Sequence, residues 1–175
     1  MIRSSHSRVL LAALGVATLV GACASYGPAG LSAGSAIADV RQRMGAPTGE
    51  YKLSDGRTRL EFARGPLGMH TFMLDFDASG RLVSWEQVLS EQRFGTVHNG
   101  MTRDEVLMSI GHPSEQRRIT WQDRALWSYR FEGRPFCRWF QVGIDNRGQV
   151  VDASYGPDPA CPDNFITDRI LEMGR

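Results

Sequence analysis

The stretch Gly100–Pro113, GMTRDEVLMSIGHP, constrains the fold of this chain more than any other. Gly100 breaks the preceding segment. Thr102 then offers a hydroxyl to the open N–H groups of a new helix, and Glu105, three residues on, completes a capping box. Val106 and Ile110 share one face a turn apart, and Gly111 ends the helix with Pro113 just beyond. A helix this short is not stable alone in water, so its apolar face implies a sheet to lie on.

A weaker form of the phrase occurs earlier, as Gly34–Pro47, GSAIADVRQRMGAP, at an offset of 66 residues. The correspondence continues beyond the helix. Leu60 and Phe62 fall on Trp127 and Tyr129 at an offset of 67, and Phe72, Asp77, Gly80 and Val83 fall on Phe140, Asp145, Gly148 and Val151 at an offset of 68. Offsets that change only where turns belong are the mark of an internal repeat rather than of recurring Gly and Pro.

The 175 residues suffice for one domain or two small ones, and 42% hydrophobic with 22% charged residues is an ordinary soluble composition. The first 22 residues stand apart. Arg3 and Arg8 give a basic start, and Val9 to Val20 is an apolar run of 12 residues, too short to span a bilayer permanently. The run reads as a secretory signal. Val20-Gly21-Ala22-Cys23 at its end resembles a bacterial lipobox, which implies that Cys23 is lipidated and becomes the mature N-terminus, the alternative being an ordinary signal peptide with a coincidental cysteine. Ala24 after the cysteine implies transfer to the outer membrane. Removal of the signal takes two arginines and no acid from 20 Lys+Arg and 19 Asp+Glu, leaving a net charge of −1. A near-neutral body without a basic stripe argues against nucleic acid as a partner. Cys137 and Cys161 remain; in an oxidising periplasm they are expected to pair, closing a loop worth about 3.5 kcal/mol in the chain-entropy account, with two reduced buried thiols as the alternative.

Residues 23–33 read as a tether, small and uncharged. From Cys23 to Gly34 it reaches at most about 40 Å, which holds the folded body near the membrane face. The first unit is expected over 34–88, with a helix, strands at Arg57–Arg64, His70–Phe76 and Arg81–Val88, and one sheet face left open. A connector follows at 89–99, in which Phe94 and Val97 pack under the second capped helix. The second unit, 100–157, repeats the plan with strands at Arg124–Phe131, Cys137–Ile144 and Gln149–Tyr155. The remainder, 158–175, is read as a tail with a short helix capped by Asp163. The Cys137–Cys161 link would fold the Pro-rich tail across the outer face of the second sheet and shield Trp139.

Few residues suggest chemistry. Asp75–Glu86 matches an EF-hand calcium loop in spacing, but Phe72, Leu74 and Phe76 carry strand alternation into it, so it reads as a hairpin turn closed by Gly80. His70, His98 and His112 lack metal-ligand spacing, His112 reads as a helix-stop residue, and no CxxC, HExxH or GxSxG is present. No basic environment is legible around Cys137 that would make it a nucleophile. No metal, cofactor or catalytic residue is expected. Trp121 and Trp139 are the candidates for a partner surface, with a satisfied structural Trp as the other reading of each.

The GMTRDEVLMSIGHP phrase, followed by an aromatic strand and a hairpin turning at DNRG, resembles the small outer-membrane lipoproteins of the SmpA/OmlA (BamE-like) family. Gly100, Met101, Thr102, Val106, Gly111 and Pro113 fit that family's helix-opening motif, and Ile110 replaces its usual Leu. The resemblance implies an α+β fold of ααβββ units and a protein-binding accessory or structural role in outer-membrane assembly or envelope integrity, through a protein partner at the outer membrane. The duplication departs from the single-unit members. Two tandem ααβββ units are similar to the secreted β-lactamase inhibitor proteins, which implies the alternative: an inhibitor of a periplasmic enzyme, binding through paired sheets. Motif residues of this kind determine fold, so they carry fold further than function.

Overall fold

The computed structural model describes residues 27–133 and 137–160. Cys23, the signal and the tail helix lie outside the described residues, as does Cys161, and with it the expected pairing to Cys137. The fold is α+β, with two antiparallel sheets of four strands each. Helix α1 (Ile37–Met44) precedes β1 (Gly49–Lys52), β2 (Thr58–Ala63), β3 (Thr71–Phe76) and β4 (Leu82–Gln87). After the short α2 (Glu91–Phe94), helix α3 (Arg103–Ile110) precedes β5 (Glu115–Ile119), β6 (Arg124–Phe131), β7 (Arg138–Ile144) and β8 (Val150–Pro157). Each sheet is a meander, in the orders β1-β2-β3-β4 and β5-β6-β7-β8.

The sequence repeat is matched bond for bond. Gly34 N–H donates to Leu82 and Gly100 N–H to Val150, both at 2.8 Å; Leu82 N–H donates to Ser35 and Val150 N–H to Met101, at 2.9 and 2.8 Å. Single bridges tie Ala36 to Arg81 and Thr102 to Gln149. Both third-to-fourth strand ladders slip by one residue, at Asp75/Phe76 and at Gly143/Ile144, leaving Val83 and Val151 as the extra residues. The capped helix α3 has the reciprocal box the sequence implies: Thr102 Oγ1 accepts from Glu105 N–H, and Glu105 accepts from Thr102 N–H at 2.7 Å. Its counterpart α1 begins at Ala36 with no side-chain cap.

Each helix buries its apolar face on its own sheet. Val40 and Met44 lie against Leu60, Phe62, Leu74 and Phe76 in the first unit. In the second, Val106 and Ile110 join Trp127, Tyr129, Phe131, Phe140, Val142 and Ile144, with Phe94 and Val97 of the connector filling the rest. Phe94 stacks on Phe140 at 4.3 Å between ring centroids and meets Phe131 edge-on at 4.9 Å.

Three expectations change. Each sheet has four strands where three were expected, because β1 and β5 (GEYK and EQRRI) join the ladders of β2 and β6 with no apolar face to announce them. The stretch 27–33 is packed rather than a free tether: Pro28 is buried, Leu31 lies on the first core, and Arg43 donates to Gly30 C=O at 3.2 Å. The far face of the first sheet is covered over its inner strands rather than open, with β4 left exposed at the edge. Every residue of β3 is buried, Thr71, Met73 and Asp75 included, because the second unit lies over that side.

Candidate functional site: a buried junction and an exposed hairpin tip

Glu61 sits in the middle of β2, pointing away from α1, and is wholly inaccessible to solvent. An unpaired buried carboxylate is costly, so its partners define the site. Thr48 donates to it at 2.9 Å and the Tyr51 hydroxyl at 2.6 Å, both from the first unit. The other two donors come from the second unit: His112 N–H at 2.9 Å and His112 Nδ1 at 2.8 Å. The residue that reads in sequence as a helix stop is thus a cross-unit ligand for a buried charge. Two further bonds cross in the same region, Arg59 to Met108 C=O at 2.8 Å and Arg130 to Pro66 C=O at 2.9 Å. The first places a guanidinium at the negative end of α3.

Gly111 makes this contact possible. Its φ of 79° lies in the left-handed region, and a Cβ there would come within 2.8 Å of Thr71 Cγ2 and 3.0 Å of Glu61 Cδ. Burial, then the hydrogen bond to Glu61, pushes the Tyr51 phenol far above its ordinary value. Burial does the same for Tyr129, with the Glu61 carboxylate adding to it. The Tyr129 hydroxyl is enclosed and has no hydrogen-bond partner among the described residues. Removing an unsatisfied buried hydroxyl without changing shape removes a penalty. Tyr129→Phe is therefore expected to raise stability by about 1 kcal/mol in urea unfolding, whereas a loss would reveal a partner for that oxygen.

A cleft of about 370 Å³ opens beside the junction, lined by Thr48, Arg64, Pro66, Leu89, His112 and Ser114. His112 is held by Glu61 on its wall, but the Ser114 hydroxyl accepts from Arg130 N–H at 3.0 Å. No hydrogen bond joins Ser114 to His112 among the described residues, so the two do not form a nucleophile–base pair there. The calcium-like loop is a turn. Asp77 accepts from Ser79 N–H, Ser79 Oγ and Arg81 N–H within the loop, while Asp75 is paired with Arg59 at 2.6 Å.

Of the two candidate surface tryptophans, Trp121 is 81% exposed and Trp139 only 7%. Trp139 does lie on the outer face of the second sheet, as the alternation requires. It is covered there by its neighbours. Arg130, beside it on β6, holds its guanidinium 6.0 Å from the Trp139 ring centre and forms a buried ion pair with Asp158, just past β8. Trp139 is therefore no contact surface for a partner. Trp121 lies in a single 3-10 turn, Thr120–Gln122, at the tip of the β5–β6 hairpin. Asp123 closes that turn with φ 47°, the one positive φ outside glycine among the described residues. Its carboxylate pairs with Arg118 and accepts from Asn146 Nδ2 at 2.8 Å, which ties the tip to the Asp145–Gly148 turn.

Sequence reasoning passed over Glu61, Tyr51 and Thr48. One signal was present: Met73 between Phe72 and Leu74 makes three apolar residues in a row, which a strand with one face in water does not need.

No protein-family model matches the sequence, and no curated protein matches it at a significant level. Among solved structures, the chain is similar to an osmotically inducible lipoprotein, OsmE, at 23% identity and a TM-score of 0.35, over 39% of this chain and 79% of that one.

Proposed function

We propose that the chain is a periplasm-facing outer-membrane lipoprotein, anchored through Cys23, that works by binding protein as an accessory or structural module of outer-membrane assembly or envelope integrity. The anchor rests on the basic start, the short apolar run and the Val-Gly-Ala-Cys sequence. The observation that carries the binding role is an exposed apolar rim on the fourth strand of each unit, with Val83 and Val151 at equivalent bulge positions. Val83 and Trp85 on β4 are 48% and 46% exposed, and Val151 and Tyr155 on β8 are 40% and 41% exposed. Two sets of large apolar side chains left in water along the fourth strand of each sheet are surface for a partner to cover. The inhibitor alternative has less to stand on. It uses two open sheet faces, and the far face of the first sheet is buried against the second unit.

The test is purification from detergent-solubilised membranes with mass spectrometry. Acyl chains on Cys23 and co-purifying barrel-assembly components are expected, with the exposed bulge residues replaced in a Val83→Ser, Val151→Ser double variant losing part of the partner signal while staying folded by circular dichroism. A chain that fractionates identically with Cys23→Ser, or that brings down one soluble enzyme, contradicts the reading.

A further inference from the structure

The β5–β6 hairpin of the second unit is one residue longer than its counterpart in the first, since Pro47–Leu60 and Pro113–Trp127 differ by one. The longer hairpin carries a feature that the first unit lacks. The first unit turns through Ser54, Asp55 and Gly56, all polar or small and exposed; the second turns through Trp121. Trp121 is the most exposed large apolar side chain among the described residues. It is held out by a turn closed in a sparsely populated backbone conformation and braced from two sides through Asp123.

The charge around it is ordered. Three acids at this end of the unit are engaged, Asp123 by Arg118 and Asn146, Asp145 by the N–H groups of Arg147 and Gln149, and Asp152 by Arg124, while Asp104 in the first turn of α3 stands beside Arg103. Arg117 follows the same strand, Arg147 sits in the adjoining turn, and Arg103 lies against Gly148 of that turn. These three arginines enter no ion pair among the described residues. The end of the second unit therefore shows one amphipathic ring and a set of uncommitted cations. Trp121 has no large exposed apolar neighbour on its own hairpin, so it lacks the surrounding patch that a protein hot spot needs. An exposed indole at the same end of a unit as unpaired arginines is the chemistry of an interfacial anchor, the ring at headgroup depth and the guanidinium groups on lipid phosphates.

We propose that the Trp121 hairpin tip is a second membrane contact, which seats the second unit on an anionic phospholipid surface. The idea rests on the lipid-anchored reading for its setting. Residues from Gly27 onward are packed on the first unit, so at most about 15 Å of chain separates Cys23 from the folded body.

The test is tryptophan quenching in vesicles of phosphatidylethanolamine and phosphatidylglycerol whose acyl chains are brominated. The acylated chain and a Cys23→Ser chain are each compared with their Trp121→Phe variants. In both backgrounds Trp121→Phe is expected to remove most of the quenching, the Cys23→Ser chain needing more lipid to reach it. Arg117→Gln with Arg147→Gln is expected to weaken quenching with phosphatidylglycerol present and to leave the small signal on phosphatidylethanolamine alone unchanged. Equal quenching with and without Trp121 in an acylated chain that floats with vesicles overturns the tip contact and leaves the anchor standing. A tip that a protein shields instead gives the same unquenched result on lipid alone. Tip-dependent quenching of Cys23→Ser, with no acyl group found on the native chain, overturns the anchor and leaves the tip.

Discussion

Glu61→Ala is expected to lower the unfolding free energy by about 3–5 kcal/mol, the cost of breaking a buried charge network by removing one member. The carboxylate is wholly enclosed and collects four donors from Thr48, Tyr51 and two nitrogens of His112. Alanine takes the acceptor from the Tyr51 hydroxyl and from both His112 nitrogens, and leaves Thr48 only the backbone C=O of residue 61 at 3.2 Å; unmade hydrogen bonds around an enclosed position are what make such substitutions costly. The melting temperature should fall on the order of 10 °C for a protein of this size. Glu61→Gln separates charge from shape. It keeps one acceptor oxygen but turns an NH₂ group toward a donor, so it should cost less than alanine and more than a surface change. Because two of the four donors belong to the second unit, the effect has a signature beyond its size. The wild type should unfold in one transition, whereas Glu61→Ala should broaden or split it as the units come apart separately. A single unchanged transition, with Tm within a degree of wild type, would show that the junction contributes nothing to holding the units together.

What could be read from the sequence was local, and what could not was carried by contacts between distant segments. The box at Thr102 and Glu105, the stop at Gly111 and the turns at Gly80 and Gly148 depend on residues within four positions of one another, and they appear in the structure with those partners. The alternation of Phe72, Leu74 and Phe76, and of Trp127, Tyr129 and Phe131, placed the right faces on the right cores. Edge strands gave no such signal. Glu115 to Ile119 is charged along most of its length and exposed, and it is a strand only because Ser128 to Arg124 offers it a ladder. The outer faces were misjudged for one shared reason. Period-two alternation says which side of a strand a residue is on, but not what lies over that side. Trp139 is on the predicted face, yet Arg130 and Asp158, 28 residues apart, put it out of reach. Glu61 is on the face expected to meet water, yet a residue 51 positions later closes over it.

Gly111→Ala should be nearly as damaging as the loss of Glu61, and Gly100→Ala, one motif residue away in kind, should not. Both glycines have positive φ, 79° and 88°, so any Cβ meets the backbone penalty of the left-handed region, about 1–2 kcal/mol. They differ in what surrounds them. A Cβ on Gly100 has nothing within 4 Å, whereas on Gly111 it lies 2.8 Å from Thr71 Cγ2 and 3.0 Å from Glu61 Cδ. Neither neighbour is free to move, since Thr71 is buried at the start of the inner strand β3 and Glu61 is fixed by four hydrogen bonds. Overpacking at a site that cannot relax adds about 1–3 kcal/mol, so Gly111→Ala should cost about 2–5 kcal/mol in all. The excess over Gly100→Ala, measured by urea unfolding, reports the close approach of the two units. It should shrink sharply in a Glu61→Ala background, because contacts that share a partner are not additive. Equal losses at the two glycines would mean that Gly111 serves only to stop its helix. A large, Glu61-dependent difference would mean that the same residue ends α3 and admits the first unit's carboxylate to its C-terminus, which ties the motif that shapes each unit to the joint that binds the pair.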